Sequence, residues 1–460
     1  MLKLNYKPNG GISLKKVLSV FLVLALVLTT VSVGAAAKGS TQYTIVNPYE
    51  KVDWSTYDTY KACLHCHTTA SDGDYPLNEW LQLYYDAGYD IIAVTDHGVI
   101  NHGWDKEKRT NGIFNGFKKV EPLTKEEYER FTTGSDRGGR GMTDITGGIE
   151  CNMAVASKTH VNGYWTTYGQ GVWGRENDYE TAPRRIEESG GYSVLNHVGD
   201  WVNSENFPAR SHNPFYINYF ANILVKYKTC LGLEIINNTD RCTRADRALW
   251  DELLQVVIPT GRNIWGFADD DSEEEGDVDR SFELFPLAKN TEENVKQAMI
   301  DGSFFAASRY FKNQARDENE FEGDGVVPLV TNIKIDGNKI TVECDRSRGC
   351  DKIEWIADGK VIAEDTTGSC SYTIDLNDYE DDLGCYIRFQ LKSRAHGVTY
   401  SQPFELKYDG RVDKEIPDSP IPDGIIGDVF WFWYQRLGTT LIDLILEKIL
   451  SKMNVIPKIG

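Results

Sequence analysis

Basic charge, histidine and long apolar runs are all in short supply in this chain. Lys and Arg total 49 against 69 Asp and Glu, a formal net charge of −20. Counterion release from a polyanion needs a basic surface, so the charge argues against a general nucleic-acid binder and no nucleic-acid binding is expected, while a small nucleic-acid substrate stays open. Only one apolar run, Val17 to Val33, approaches the length that spans a bilayer, which excludes a multi-span membrane protein. There is no G-x-S-x-G elbow and no P-loop, so serine-hydrolase and nucleotide-motor readings have no support. With 15 Pro and 41 Gly in 460 residues the chain is neither collagenous nor low in complexity. What remains, 41% hydrophobic, is globular and long enough for two folded domains plus extensions.

The first 37 residues differ from the rest. Lys15 and Lys16 precede the apolar run, which closes on Gly34-Ala35-Ala36-Ala37. A basic start, a hydrophobic stretch and a small-residue site read as a cleaved secretory signal over residues 1–37, with an uncleaved N-terminal anchor as the alternative. Both place the folded part outside the cytoplasm, secreted, at the cell surface or in a periplasm. Nine Cys follow. Cys344, Cys350, Cys370 and Cys385 lie close together, where disulfides are expected in an oxidising location. Cys63, Cys66, Cys151, Cys230 and Cys242 include several in apolar runs that suit buried free thiols.

From Thr59 to about Phe305 short apolar runs alternate with amphipathic stretches, as in Ala62 to His67, Leu77 to Ala87 and Ile91 to Thr95. Strands alternating with helices predict βα units around a parallel sheet or barrel. The segment Val99 to Thr146 interrupts the rhythm and is expected to overlie the mouth of the site. Between Pro328 and Leu406 the period changes to two, with Asp336-Gly337-Asn338 and Asp358-Gly359 as hairpin turns, which predicts a small antiparallel sandwich of immunoglobulin-like class. A linker carrying Pro417 to Pro422 leads to Ile425–Met453, whose apolar residues recur at helical spacing. That tail is expected to be a helix docked on the protein's own surface, or else an interfacial membrane or partner helix.

Six of the eight His lie between positions 65 and 197. His65 and His67 are two apart, so a strand would present both imidazoles on one face, where they can bind one ion. Asp72 follows on a turn. Asp96 and His97 end the apolar run Ile91–Thr95, Glu150 ends Gly147–Ile149, and His197 ends Val194–Asn196. Asp269-Asp270-Asp271-Ser272-Glu273 ends Ile264–Ala268. Ligand-type residues at five strand ends form a constellation at the edge where α/β barrels carry their sites. Imidazoles and carboxylates without a set of Cys suit zinc, manganese or iron acting as Lewis acids.

These residues, in this order, resemble the PHP (polymerase and histidinol phosphatase) superfamily of metal-dependent phosphoesterases. Leu64-His65-Cys66-His67-Thr68-Thr69-Ala70-Ser71-Asp72-Gly73 is similar to the first family motif, and Ile92-Ala93-Val94-Thr95-Asp96-His97 to the second. Gly148-Ile149-Glu150 matches the bridging Glu, and Leu195-Asn196-His197 the third His motif. The resemblance spans about residues 59–308. It implies an α/β fold, a distorted (β/α)7 barrel, with two or three divalent ions (Mn, Zn or Fe) held by His65, His67, Asp72, His97, Glu150, His197 and Asp271. His160 matches a variable family His. Glu273 stands where the family's final His is expected. It either ligates through oxygen and favours a harder ion such as manganese, or marks a lost ion; a slipped alignment would instead make Asp269 or Asp270 the ligand.

On this reading Glu150 bridges two ions, Asp96 orients a ligating imidazole or caps a helix, and Glu234 positions substrate or supports the site. Arg137, Arg140 and Arg175 are candidate phosphate clamps. The expected activity is hydrolysis of a small phosphomonoester or phosphodiester. The alternatives are a metal-dependent amide or ester hydrolase, and a non-catalytic surface-binding protein with a degenerate site. The expected organisation is a signal over 1–37, the metallohydrolase barrel over 38–327, the sandwich over 328–408, a linker over 409–424 and an amphipathic tail over 425–460. The sandwich or the tail is the expected point of any peripheral membrane or cell-wall contact.

Overall fold

The computed structural model describes residues 41–110, 116, 118–152, 159–169, 178–202, 208–238, 243–309, 325–394, 397–416 and 418. Residues 1–37, Arg175, Cys242, His396 and the tail 425–460 lie outside them. No described helix is long and apolar enough to cross a membrane.

The first βα unit follows from sequence period. Strand Asp58–Cys63 pairs in parallel with Ile91–Ile92, which pairs in parallel with Thr143–Asp144. Between the first two runs the helix Leu77–Asp86, buries Leu77, Trp80, Leu81, Tyr84 and Tyr85. That is the i, i+3, i+4, i+7, i+8 stripe which a period of 3.6 residues places on one face. Truncating Leu81 to Ala there would cost about 2–5 kcal/mol in lost burial and cavity formation.

A second sheet has the order Trp265–Asp269, Cys230–Asn237, Tyr192–Leu195, Val161–Tyr164, Ile149–Cys151. Its first three strands are parallel and the remaining two joins are antiparallel. Close approach inside it requires Gly232, where an added Cβ would lie 1.9 Å from the carbonyl oxygen of Trp265. The helix Thr243–Val257 returns the chain between two of the parallel strands, and its Leu249, Trp250, Leu253, Leu254 and Val257 are buried.

The fold is therefore mixed α/β with several sheets, and among the described residues these sheets do not close into a barrel. Among the described residues the two sheets meet through isolated parallel bridges, Cys66 with Ser272 and His97 with Glu150, without a continuous ladder. One physical reason lies at Val161–Tyr164, which follows Ile149–Cys151 after only residues 152–160. A linker that short cannot carry a helical crossover, so the strand turns back antiparallel and the βα alternation stops. The segment Val99–Thr146 is also more ordered than a loop. It holds a short hairpin, Lys108–Arg109 with Lys119–Val120, and a helix, Lys125–Thr133, started by a capping box between Thr124 and Glu127.

Beyond residue 328 the alternating runs form strands. Val330–Asp336, Lys339–Cys344 and Ser371–Asp375 make one antiparallel sheet. Lys352–Ala357 lies between Lys360–Asp365 and Tyr386–Lys392 in another. Ile340, Val342, Tyr372 and Ile374 are buried with Ile353, Trp355, Phe389 and Leu391 in one core. The turns fall at Gly337 and at Asp358-Gly359, all with positive φ, as tight hairpins require.

This second sheet continues into the first part of the chain. Val398–Tyr400 pairs antiparallel with Phe305–Ser308, and Thr44–Val46 pairs with Phe404–Lys407. Gln402 brackets Gly266, accepting its N–H at 2.9 Å and donating to its carbonyl at 2.7 Å. Arg388 grips buried Asp251 through two nitrogens at 2.8 and 2.6 Å. The expected disulfides are not formed: Cys344, Cys350, Cys370 and Cys385 are buried free thiols, like the other described cysteines. Neighbouring apolar side chains enclose them, so stability here comes from the core.

Candidate metal centre

Backbone geometry gathers the polar residues at one place. His67 N–H donates to Ser272 O at 3.0 Å and Asp271 N–H to His65 O at 3.1 Å, which sets the H-x-H strand end beside the acidic run. The His97–Glu150 bridge sets the next two strand ends side by side. His197 and Asp271 both sit at positive φ, 27° and 43°. Left-handed backbone at a non-glycine residue carries strain, and it aims these two side chains inward.

Glu150, almost fully buried, is the hub. Five imidazoles face its carboxylate: His97 Nδ1 at 2.9 Å, His160 Nδ1 at 3.2 Å, His65 Nε2 at 3.3 Å, His67 Nε2 at 3.4 Å and His197 Nε2 at 3.5 Å. Asp72 stands between His97, at 3.3 Å, and His67, at 3.5 Å. Asp271 Oδ1 lies 3.0 Å from His65 Nε2 and 3.1 Å from His67 Nε2. Three trios converge tightly enough to share an ion: His65, His67 and Glu150; His67, Asp72 and His97; His97, Glu150 and His160.

Of the three consecutive aspartates, Asp271 alone faces the imidazoles. Asp269 accepts from Leu64 N–H and Asp270 from Tyr89 Oη and the Arg280 and Ser281 N–H groups. Glu273 is exposed and makes backbone hydrogen bonds to Asp277 and Asp74, while its carboxylate stands near enough to the site for Asp72 and His67 to act on its charge.

The donor set fits divalent metal. Asp72 Oδ1 and Glu150 Oε2 are buried and accept no well-formed hydrogen bond although imidazoles stand close by, the arrangement expected where lone pairs converge on a cation. Electrostatics agrees. Burial opposes charge on His65, yet Asp271, Glu150 and Glu234 hold its imidazole well above the ordinary value. Burial likewise opposes charge on His197, but Glu150, Asp271 and Glu234 push it up to about 10. Against its own burial, Glu150 is held well below the usual carboxylate range by His160, His97 and His65. His160, at the rim, is lowered by burial, which outweighs Glu150. An ion would supply the positive charge that these carboxylates otherwise draw from protons.

Supporting contacts fix the donors. His65 Nδ1 lies 2.6 Å from Glu234 Oε1, and the other oxygen of Glu234 accepts His197 N–H at 2.8 Å and Asn237 Nδ2 at 3.0 Å. Glu234 thus braces the His65 imidazole and the backbone of His197. Asp96 reaches no imidazole directly; it accepts from Thr68 N–H at 2.7 Å, Ser71 Oγ at 3.1 Å and Lys108 Nζ at 2.6 Å. Ser71 Oγ then sits 3.3 Å from His67 Nδ1. It caps no helix.

Arg137 and Arg140 are elsewhere, both bound to buried Asp90. His102 is exposed, and exposed His212 pairs with Glu252. Sequence reasoning missed Asn196, which donates to Glu150 Oε1 at 2.8 Å, and Asn237, which also donates to Asp271 Oδ2 at 2.9 Å. Their signal was position, each at the polar end of an apolar strand. Lys108 carried no signal at all, since only the folded path of its segment brings it to Asp96.

No family model matches the chain, and no curated protein matches it either. Among solved structures it is similar to a two-domain protein from Bacteroides vulgatus ATCC 8482, described as containing a predicted PHP-like metal-dependent phosphoesterase. The identity is 14% and the TM-score 0.38, over 79% of this chain and 100% of that one.

Proposed function

We propose that the chain is an extracytoplasmic metal-dependent phosphoesterase of the PHP type, hydrolysing a small phosphomonoester or phosphodiester with two or three divalent ions (Mn, Zn or Fe). The observation that carries the reading is Glu150, a buried carboxylate faced by five imidazoles within 3.5 Å. We read the two sheets that meet at the His97–Glu150 bridge as the walls of a distorted (β/α)7 barrel, with 328–408 as a bracing sandwich. The leader-like residues 15–37 support export, and the sandwich or the tail would supply any wall or membrane contact.

Divalent ions held by these donors supply Lewis acidity toward a phosphoryl oxygen and acidify water near neutral pH. The chain's own part is orientation and exclusion. Glu234 accepts at Nδ1 of His65, which fixes the tautomer and leaves Nε2 facing Glu150. Asn196 steadies Glu150, and Asn237 ties Asp271 to Glu234. Mostly buried His160, at the rim, has its value lowered by burial, so its imidazole stays neutral and keeps a lone pair to offer an ion beside Glu150.

A second reading, hydrolysis of an amide or carboxylic ester, is favoured by one observation: Arg137 and Arg140 are spent on Asp90 instead of on a phosphate. Elemental analysis of the purified chain, followed by turnover of p-nitrophenyl phosphate and bis-p-nitrophenyl phosphate with added Mn, Fe or Zn, separates the two. Two or three ions and metal-dependent turnover that His67→Ala abolishes are expected. Stoichiometric metal without phosphoester turnover would transfer the assignment to amides or esters, and no metal under any condition would overturn both.

A further inference from the structure

One residue before His65, the backbone of Leu64 holds two buried side chains at once. Its N–H donates to Asp269 Oδ1 at 2.7 Å and its carbonyl accepts from Tyr164 Oη at 3.0 Å. The N–H and carbonyl of one residue in an extended chain point to the same side, so the Asp269 carboxylate and the Tyr164 phenol stand together. Glu283, on the strand Ser281–Leu287, joins them: its Oε1 accepts at 3.0 Å from the N–H of Ala268, the neighbour of Asp269 in the chain. Asn162 lies two residues before Tyr164 on the same strand, hence on the same face, and its amide comes close enough to act on the phenol.

These two acids and the amide are closed off from water yet incompletely bonded. Asp269, Glu283 and Asn162 are all 0% exposed. Asp269 Oδ2, Glu283 Oε2 and both ends of the Asn162 amide meet no hydrogen-bond partner among the described residues. Buried polar groups are normally paired, and several orphans at one place mark an ion or ordered water. Charge decides between the two. Burial raises both carboxyls well above the usual range; Glu234 and Asp270 add to this at Asp269, and Asp269 and Glu234 add to it at Glu283. His65 and the N–H groups of Leu64 and Ala268 offset only part of the rise. Water alone would leave that negative charge uncompensated.

We propose that Asp269 Oδ2, Glu283 Oε2 and the side-chain oxygen of Asn162 hold a buried sodium ion, which braces the strand end that delivers His65. Oxygen donors without imidazole or thiolate select a hard cation. Three side-chain oxygens fall well short of the about six to eight that calcium takes, so a singly charged ion fits better. The site is distinct from the metal centre, because Asp269 turns to Leu64 while Asp271, two residues on, turns to the imidazoles of His65 and His67. It does not depend on the hydrolase reading of that centre.

The probe is sodium chloride against choline chloride at equal concentration, on the full chain with manganese held constant. An ion that binds only the folded state stabilises it by mass action, so the melting temperature should rise with sodium along a one-site curve, by at least about 2 °C at saturation. Glu283→Gln keeps the shape of the side chain and removes one charge; it should lose the sodium response while its manganese content stays that of the wild type. His67→Ala, which alters the metal centre, should keep the response. The wild-type comparison needs no variant to fold. Equal melting in sodium and choline would overturn the proposal and leave protons or water to satisfy the orphaned atoms. A response that survives Glu283→Gln, or one that His67→Ala removes, would overturn it as well.

Discussion

Lys108 Nζ lies 2.6 Å from Asp96 Oδ2 with both side chains buried, at 4% and 0% exposure. The pair pins the Val99–Thr146 segment to the turn that carries Ser71 and Asp72. Through Ser71 it reaches His67, so a cation forty-one positions away in sequence sets the attitude of a candidate ligand.

Replacing Lys108 by Met would strand a buried carboxylate, at a cost of about 3–5 kcal/mol. Urea unfolding of K108M should show that loss, with weaker metal retention as the turn loosens. A midpoint equal to that of the wild type would mean that the donors from Thr68 and Ser71 hold Asp96 unaided.

Glu234→Gln keeps the shape of the side chain but removes the charge that braces His65 and His197. Loss of such a bracing carboxylate typically weakens metal affinity by about 10–100-fold. Titration of the chelator-stripped protein with zinc or manganese measures it directly, and an unchanged affinity would show that Asp271 and Glu150 alone orient His65.

Gly73 follows Asp72, and a Cβ added there would lie 2.3 Å from the backbone oxygen of His67. Backbone cannot swing aside as a side chain can, so Gly73→Ala should displace His67 and destabilise the fold by about 1–3 kcal/mol. The variant should melt earlier and bind fewer ions. A normal melting temperature with full metal content would contradict this.

Burial pushes Asp144 up to about 7, with Trp104 N–H opposing and Glu292 adding to the rise. The folded state therefore keeps a proton that the unfolded chain sheds near pH 3.9. Stability from this site is complete below about pH 4 and is lost as pH rises through 7, at about 1.4 kcal/mol per unit. Asp144→Asn retains the oxygen that accepts from Trp104 and cannot ionise. Its melting temperature should gain on that of the wild type from pH 4 to about pH 7 and level off above it; a constant difference would show that Asp144 ionises normally in the fold.

The local patterns were legible because they depend on local periods. Trp80, Leu81, Tyr84 and Tyr85 announce the helix face they bury, and the runs around Ile340–Val342 and Tyr372–Ile374 announce strands. The candidate site was legible through residue type at strand ends, His65, His67, His97, Glu150 and His197, which the structure brings within one carboxylate's reach. Long-range outcomes were not. The distorted barrel was expected from the family resemblance, and the strand Val161–Tyr164, which the short interval after Cys151 turns back antiparallel, was not read from the sequence. The arginines are a similar case: a guanidinium in a Gly-rich insert looks available until the fold delivers it to Asp90.

The pairing of Thr44–Val46 with Phe404–Lys407 has a consequence for synthesis. The first described strand must wait at the ribosome until some 360 further residues have been made before its partner emerges. Throughout that interval the edge Phe404–Lys407 will cover stands open, and Phe305–Ser308, once made, waits in the same way for Val398–Tyr400. Such distant closures are slow and leave strand edges open to other chains. A nascent chain stalled before residue 398 therefore carries strand edges that only the last part of the chain can cover.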